Sequence, residues 1–474
     1  MCCLAVMISF GFGTNAGALT LDKDGNYQLG GFIQNQTGLR LEDGVNEAGD
    51  LSMFRNELFM DFSARISEEF QFKAIFRGHY EGVYGLDSDV NQLPKDQKTV
   101  PGPHALDMES DMDFREYYMT YHTGNFVFKL GRQQVAWGEA DAINIADIVC
   151  PLDLSWRWSF PAWEEIRIPL HMLNAFYIVP ESPHELKFEL VYVPADFRPH
   201  NFGYPGSNWS LYSNLNVPDV VGEEIFRQMD EGLPENDLSN PQGGVRVHAL
   251  LGPYDTYWFA YYGRDKVGVQ TAHENPSPDN FLGLRVEYPS VTTLGMTFNA
   301  YCPWLETVFR GEMAYAIDAP FSPVGANVDP FDYGEYDTAE IMIGFDYNAM
   351  IPFLNRTKSF FFSGQVDNKF IFDIDEDEYR TFFGHNDQKD WRLVCSLLVN
   401  TEYYEGKIVP QMLGVTFVNE QSGFFDANIT YKPTFTLSFA LGYLGIWGDT
   451  EQAGLFFGPV KNNDEVYAKL KWSF

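Results

Sequence analysis

The chain has 474 residues, with 32 Lys or Arg against 66 Asp or Glu, a formal net charge of -34. That balance excludes nucleic acid as a partner, because phosphate contacts need a basic face. Hydrophobic residues make up 45% and aromatic residues 16%, yet mean hydropathy is -0.24. Apolar side chains are therefore spread evenly, and past the N-terminus no run of about eighteen apolar residues offers a membrane-spanning helix.

The first predicted element is an export signal over residues 1–18. Leu4 to Phe12 is apolar, and Ala16-Gly17-Ala18 has the small-residue pattern of a cleavage site. No Lys or Arg precedes Lys23, so the signal reads as truncated, with a start upstream of Met1. Residues 19–474 read as one domain with no linker.

From there the chain alternates. Leu58, Met60, Phe62, Ala64 and Ile66 oppose Glu57, Phe59, Asp61, Ser63 and Arg65. Leu186 to Tyr192, Val245 to Leu251 and Leu282 to Tyr288 repeat the pattern, the last opposing Arg285 and Glu287 to an apolar face. Phe435, Leu437, Phe439, Leu441 and Tyr443 oppose Thr434, Thr436, Ser438, Ala440 and Gly442. Period-two segments of about ten residues, separated by turns and free of helices, predict an antiparallel transmembrane β-barrel of roughly 16–18 strands in a bacterial outer membrane. A two-layer sandwich also alternates. The chain end favours the barrel: Val466, Ala468, Leu470, Trp472 and Phe474 share one face. A last strand with a terminal aromatic resembles the signal read by the barrel-assembly machinery, assigning Leu470, Trp472 and Phe474 to it.

Connections are expected to alternate short and long. Short turns are placed at 67–69, 122–125, 180–184, 252–255, 288–290 and 431–433, and long loops at 86–111, 140–163, 196–243, 267–279, 319–338 and 375–389. The parity breaks near 304–338. The loops are acidic, as in Asp373, Asp375, Glu376, Asp377 and Glu378, which reads as solvated surface or as divalent-cation contact beside lipopolysaccharide. Five cysteines without CxxC spacing, and no His in an HExxH or GxSxG context, argue against a metal site, a cofactor and catalysis.

Several stretches resemble a family of proteobacterial outer-membrane proteins of unknown function. They are Phe54 to Leu58, Leu130-Gly131-Arg132-Gln133-Gln134-Val135-Ala136-Trp137-Gly138-Glu139-Ala140-Asp141, Asp147 to Leu154, Arg167 to Leu173 and Arg310 to Tyr315. Cys150 stands where the family usually has Asn, and His171 where it has Trp. The resemblance implies a barrel in the outer membrane, genes beside RND-type exporters and a periplasmic partner, and hydrophobic or lipid-like cargo by association.

Loop 140–163 is too apolar to sit in water. It is expected either to fold into the lumen as a constriction or to pack over the rim or a neighbouring subunit. The constriction set is Trp137, Glu139, Asp141, Asp147, Asp153, Trp156, Trp158 and Trp163. Arg55, Glu57, Arg132, Gln134, Arg246, His248, Arg285, Glu287, Arg310 and Glu312 are expected to line the lumen, either tuning permeation or simply pairing with one another. The function expected is passage of small molecules through a polar, loop-constricted lumen without chemistry. The alternatives are an adhesin-like or structural surface barrel and, third, an outer-membrane hydrolase.

Overall fold

The computed structural model describes residues 19–43, 47–86, 108–138, 140, 145–157, 163–203, 207, 209, 224–225, 227–229, 231–274, 282–381, 390–448, 457 and 460–474. The expected export signal lies outside them. Eighteen antiparallel strands form the wall. In chain order they are β1 Tyr27–Arg40, β2 Leu51–Arg65, β3 Phe70–Glu81, β4 Ser110–Thr123, β5 Phe126–Gln133, β6 Leu170–Ile178, β7 Lys187–Val193, β8 Gln242–Leu251 and β9 Tyr254–Arg264. The second half comprises β10 Ser290–Cys302, β11 Thr307–Pro323, β12 Gly334–Ala349, β13 Phe360–Ile371, β14 Trp391–Asn400, β15 Ile408–Phe417, β16 Ser422–Tyr431, β17 Leu437–Trp447 and β18 Glu465–Ser473. Each strand pairs with the next, and β18 closes on β1 from Arg40↔Glu465 to Phe32↔Ser473. Closure removes the free sheet edge, which lipid cannot satisfy.

The outward face carries the apolar stripe read from the sequence. Leu190, Val245 and Leu470 are exposed, and Leu441 is 68% exposed, which suits a wall solvated by hydrocarbon rather than water. The chain is thus an outer-membrane barrel. Eight connections at the end holding both chain termini are short, from two residues (124–125, 252–253) to ten (350–359). They take the periplasmic side, and the long loops take the outside.

Two expectations at the loops are corrected. Leu282 to Tyr288 is not a wall strand: Leu284–Glu287 pairs with Val269–Ala272, forming a hairpin inside the loop between β9 and β10. The turn expected at 288–290 is the end of that same long loop. This removes the parity break, because 303–306 is then a short periplasmic turn and β11 follows it. β11 outruns its expected end at Asp318 because a bulge lies between Ala316 and Ala319. Asp318 takes a left-handed backbone there (φ 52°), and pairing resumes beyond it, leaving a loop of only 324–333.

Alternation also misleads in β5. Leu130 is 64% exposed, and Arg132 shares its parity, lying opposite Tyr117 and His171. Arg132 therefore belongs to the outward face near the rim, where it binds Asp113 (2.6 Å) and the Pro169 carbonyl (3.4 Å). The lumen side takes Lys129 and Gln133 instead. Between them Gly131 adopts φ 141° with its Cα against the Tyr117 carbonyl, where a Cβ would approach to 2.3 Å; only glycine fits.

Candidate functional site

After Gln133 the chain leaves the wall and rejoins it at Leu170, and the described residues of this crossing loop lie against the inner wall. Its first anchor is Trp137, fully buried against the inner faces of β8 and β9. The indole lies 5.6 Å from the Phe259 ring and 5.8 Å, edge-on, from Tyr261. Gly244 makes room: a Cβ there would meet the indole at 2.9 Å and the Ala260 carbonyl at 2.4 Å. Gly244→Ala is expected to lower stability by about 1–3 kcal/mol through overpacking, read as a lower denaturant midpoint for the refolded barrel; an unchanged midpoint would remove this slot as an anchor. Above the ring, Arg246 donates to the Trp137 carbonyl (3.3 Å) while held by Glu189 (2.8 Å).

The second anchor is Glu312 on β11. Its two carboxylate oxygens accept the backbone N–H groups of Ala140 (2.9 Å) and Ala146 (3.0 Å). A charged acceptor clamping two main-chain donors in a buried site is among the stronger contacts available to a loop. Lys266, from the loop after β9, donates to the carbonyls of Ile148 (2.6 Å) and Val149. Arg167 braces the loop internally through Asp147.

The third anchor reaches the opposite wall. Arg157 binds Glu465 on β18 (3.0 Å) and Asp426 on β16 (3.7 Å), and lies over the Tyr467 ring at 4.7 Å. Beside it, Trp156 lies under the Arg55 guanidinium at 4.5 Å. The loop then forms one helical turn, Trp163–Ile166, whose end is capped from the wall: Arg77 donates to the Glu165 carbonyl (2.8 Å), and Arg115 to those of Glu164 (2.8 Å) and Arg167 (2.5 Å). Cations at the carbonyl end of a helical turn satisfy acceptors that have no partner within it. Leu152 donates to His200 Nδ1 (2.9 Å), and Asp153–Leu154 pairs in parallel with Asn201–Phe202, tying this loop to the one after β7. Burial, and secondarily the Lys266 ammonium, push the His200 imidazole down to about 3.

The loop between β5 and β6 is thus seated around the inner circumference, from β8 and β11 to β18, β2, β3 and β4. It divides the lumen into two environments. The extracellular half is a packed apolar core in which Val394, Val415, Phe424 and Leu444 of the wall meet Trp209, Phe202 and Phe457 of the loops. The periplasmic half keeps polar wall residues. The expectation of a polar lumen holds below the loop and fails above it, where alternation could not reveal which inward positions face protein rather than water.

Of the residues expected to line the lumen, Arg55, Glu57, Arg246, His248, Arg310 and Glu312 share the inward face. Glu57 is paired with Arg77 (3.2 Å), His248 with Asp255 (2.6 Å) and Arg310 with Asp346 (2.7 Å). Gln134 has left the strand and donates to the Glu164 carbonyl (3.3 Å). Arg285 and Glu287 lie on the loop hairpin, paired at 3.3 Å, on the wall of a cavity of about 540 Å³ that also takes in Arg264 and Tyr288. Trp137, Asp147, Asp153, Trp156 and Trp163 belong to the crossing loop, whereas Glu139, Asp141 and Trp158 lie outside the described residues. Leu470 and Trp472 face outward, and Phe474 pairs with Gly31 through both backbone groups at 2.9 Å. Sequence reasoning missed Arg77, Arg115, Arg157 and Lys266. Arg77 had a readable signal, an inward-parity cation in β3; a lone Arg157 between two tryptophans was a weaker one.

The profile of a family described as a protein of unknown function, DUF1302, matches residues 8–474. The chain belongs to the DUF1302 family. No curated protein matches it. Among solved structures, this DUF1302 chain is similar to OccAB3 of Acinetobacter baumannii at 9% identity and a TM-score of 0.48, over 94% of this chain and 98% of that one. It is also similar to the outer-membrane channel DcaP of Acinetobacter baumannii (11%, TM-score 0.42, 98% and 99%) and to Pseudomonas aeruginosa OpdK with vanillate (8%, TM-score 0.47, 95% and 98%).

Proposed function

We propose that the chain is a loop-gated channel passing small molecules, including apolar ones, across the outer membrane. The observation that carries this reading is the seat of the loop between β5 and β6. Its described residues are held to the wall through discrete contacts, among them Glu312 and Arg157, which suits a gate in the lumen. Release of the Glu312 contacts leaves the wall closed, since the backbone pairing between β18 and β1 does not involve the loop. Apolar surface on the inner wall, such as Phe259 and Val191, would then be offered to cargo. This reading assigns the chain no bond-making step, and His248, the inward histidine, is occupied by Asp255 and the Glu185 carbonyl.

Single-channel recording of the refolded protein in planar bilayers tests it. The wild type is expected to conduct weakly, and deletion of residues 145–160 to give larger, stable steps. A well-folded deletion variant with unchanged conductance would sink the gate and favour a sealed surface barrel.

A further inference from the structure

Most inward cations of the wall are already neutralised: Lys73 by Asp61, Arg246 by Glu189, Arg310 by Asp346 and Arg392 by Glu340. Four lysines below the crossing loop depart from this. Lys129 and Lys187 flank one ring, their ammonium groups 5.7 Å and 4.5 Å from the centre of Phe176, and Lys129 also stands 5.8 Å from Tyr118. On the far side of β4, Lys471 lies 3.8 Å over Phe32, which stacks on Phe59 at 4.9 Å with the planes 6° apart. Lys469 is two residues along the same face as Lys471. Among the described residues none of these four lysines forms an ion pair. All four are half-buried, so water reaches them.

A chain of net charge -34 has carboxylates to spare, and neighbouring wall positions use them. Four unpaired ammonium groups, three of them against rings, therefore form a distinct chemical surface. At Lys129, Lys187 and Lys471 the ring takes one side of the ammonium and leaves the remaining donors for another partner. An anion supplies what these donors lack, and a flat apolar body attached to it can lie against Phe176, Phe32 and Phe59. Lys187 directly follows the turn 179–186, and Lys471 lies three residues from the C-terminus, so the surface borders the periplasmic mouth.

We propose that the periplasmic vestibule captures organic anions that carry a flat apolar body, through Lys129 and Lys187 across Phe176 and through Lys469 and Lys471 beside Phe32. This rests on the channel reading and gives its cargo a charge, a shape and a side of approach.

The test is equilibrium binding of 2-naphthoate to the refolded full chain in lipid nanodiscs, which needs no open pore. The controls are 2-naphthol, with the rings but not the charge, and acetate, with the charge but not the rings. The wild type is expected to bind 2-naphthoate at least about tenfold more tightly than either, and Lys129→Gln with Lys187→Gln to lose about tenfold, the worth of one hydrogen bond to a charged group. Lys469→Gln with Lys471→Gln is expected to act in the same direction, and the corresponding Arg pairs to retain binding. If one Gln pair does not refold, the other carries the test. Equal binding of 2-naphthol, or 2-naphthoate affinity unchanged in the Gln pairs, overturns the proposal. The channel reading fails separately, on the conductance of the 145–160 deletion.

Discussion

Glu312→Ala opens the lumen. The variant removes an acceptor shared by two backbone donors, each contact to a charged group being worth about 1.5–3 kcal/mol, and nothing else on β11 can replace it at Ala140 and Ala146. Losing both shifts the balance between seated and released loop by roughly a hundredfold or more, since every 1.4 kcal/mol is a factor of ten. In planar bilayers this appears as long-lived open states that the wild type visits only briefly. Glu312→Gln, which keeps one acceptor oxygen, gives intermediate dwell times. Because Glu312 faces the lumen and its strand is paired on both sides by backbone groups, the barrel itself stays folded. A Glu312→Ala channel with wild-type dwell times would mean that the loop is held elsewhere.

Arg157→Ala acts on stability more than on opening. Glu465 is fully buried at the start of β18, where it meets Arg157 at 3.0 Å and accepts from Ser52 on the neighbouring wall. Removing the arginine takes one of two neighbouring guanidinium groups from a buried carboxylate, leaving it Ser52 and Arg40, a loss of about 1.5–3 kcal/mol. Urea unfolding of the refolded barrel reads this as a lower midpoint at unchanged slope. The compensating variant is Arg157→Ala with Glu465→Gln, which removes the charge along with its partner; because buried Arg40 loses the same carboxylate, it restores the midpoint only in part. If the double variant is as unstable as the single one, the cost lies in lost packing against Tyr467 and Trp209 rather than in the buried charge.

How far the structure was legible in the sequence follows from what each contact leaves in the residue order. Wall strands leave a period of two, so Leu58 to Ile66 and the final strand to Phe474 were readable, as was the apolar character of the crossing loop. The same period misled at Leu282 to Tyr288, because a hairpin packed in the mouth of a barrel has one buried and one wet face just as a wall strand has. At Arg132 polarity does not mean inwardness, because a rim position on the outer face tolerates an arginine that Asp113 and a backbone carbonyl can satisfy. The anchors were the least legible part. Arg77, Arg115 and Lys266 bind backbone carbonyls, which every residue possesses, so the loop sequence carries no mark of where they land.

That last property has a bearing on how such a barrel can change its cargo. Apart from Trp137 and Arg157, the crossing loop is gripped largely by its main chain: Glu312 reads two N–H groups, while Arg77, Arg115 and Arg246 of the wall and Lys266 of the loop after β9 read carbonyl oxygens. Side chains on the free positions of the loop can be exchanged without loosening that grip. On the channel reading proposed above, selection of what passes is therefore separable from attachment of the loop, and new specificities are reachable by single substitutions in one loop while the strands and their register stay as they are.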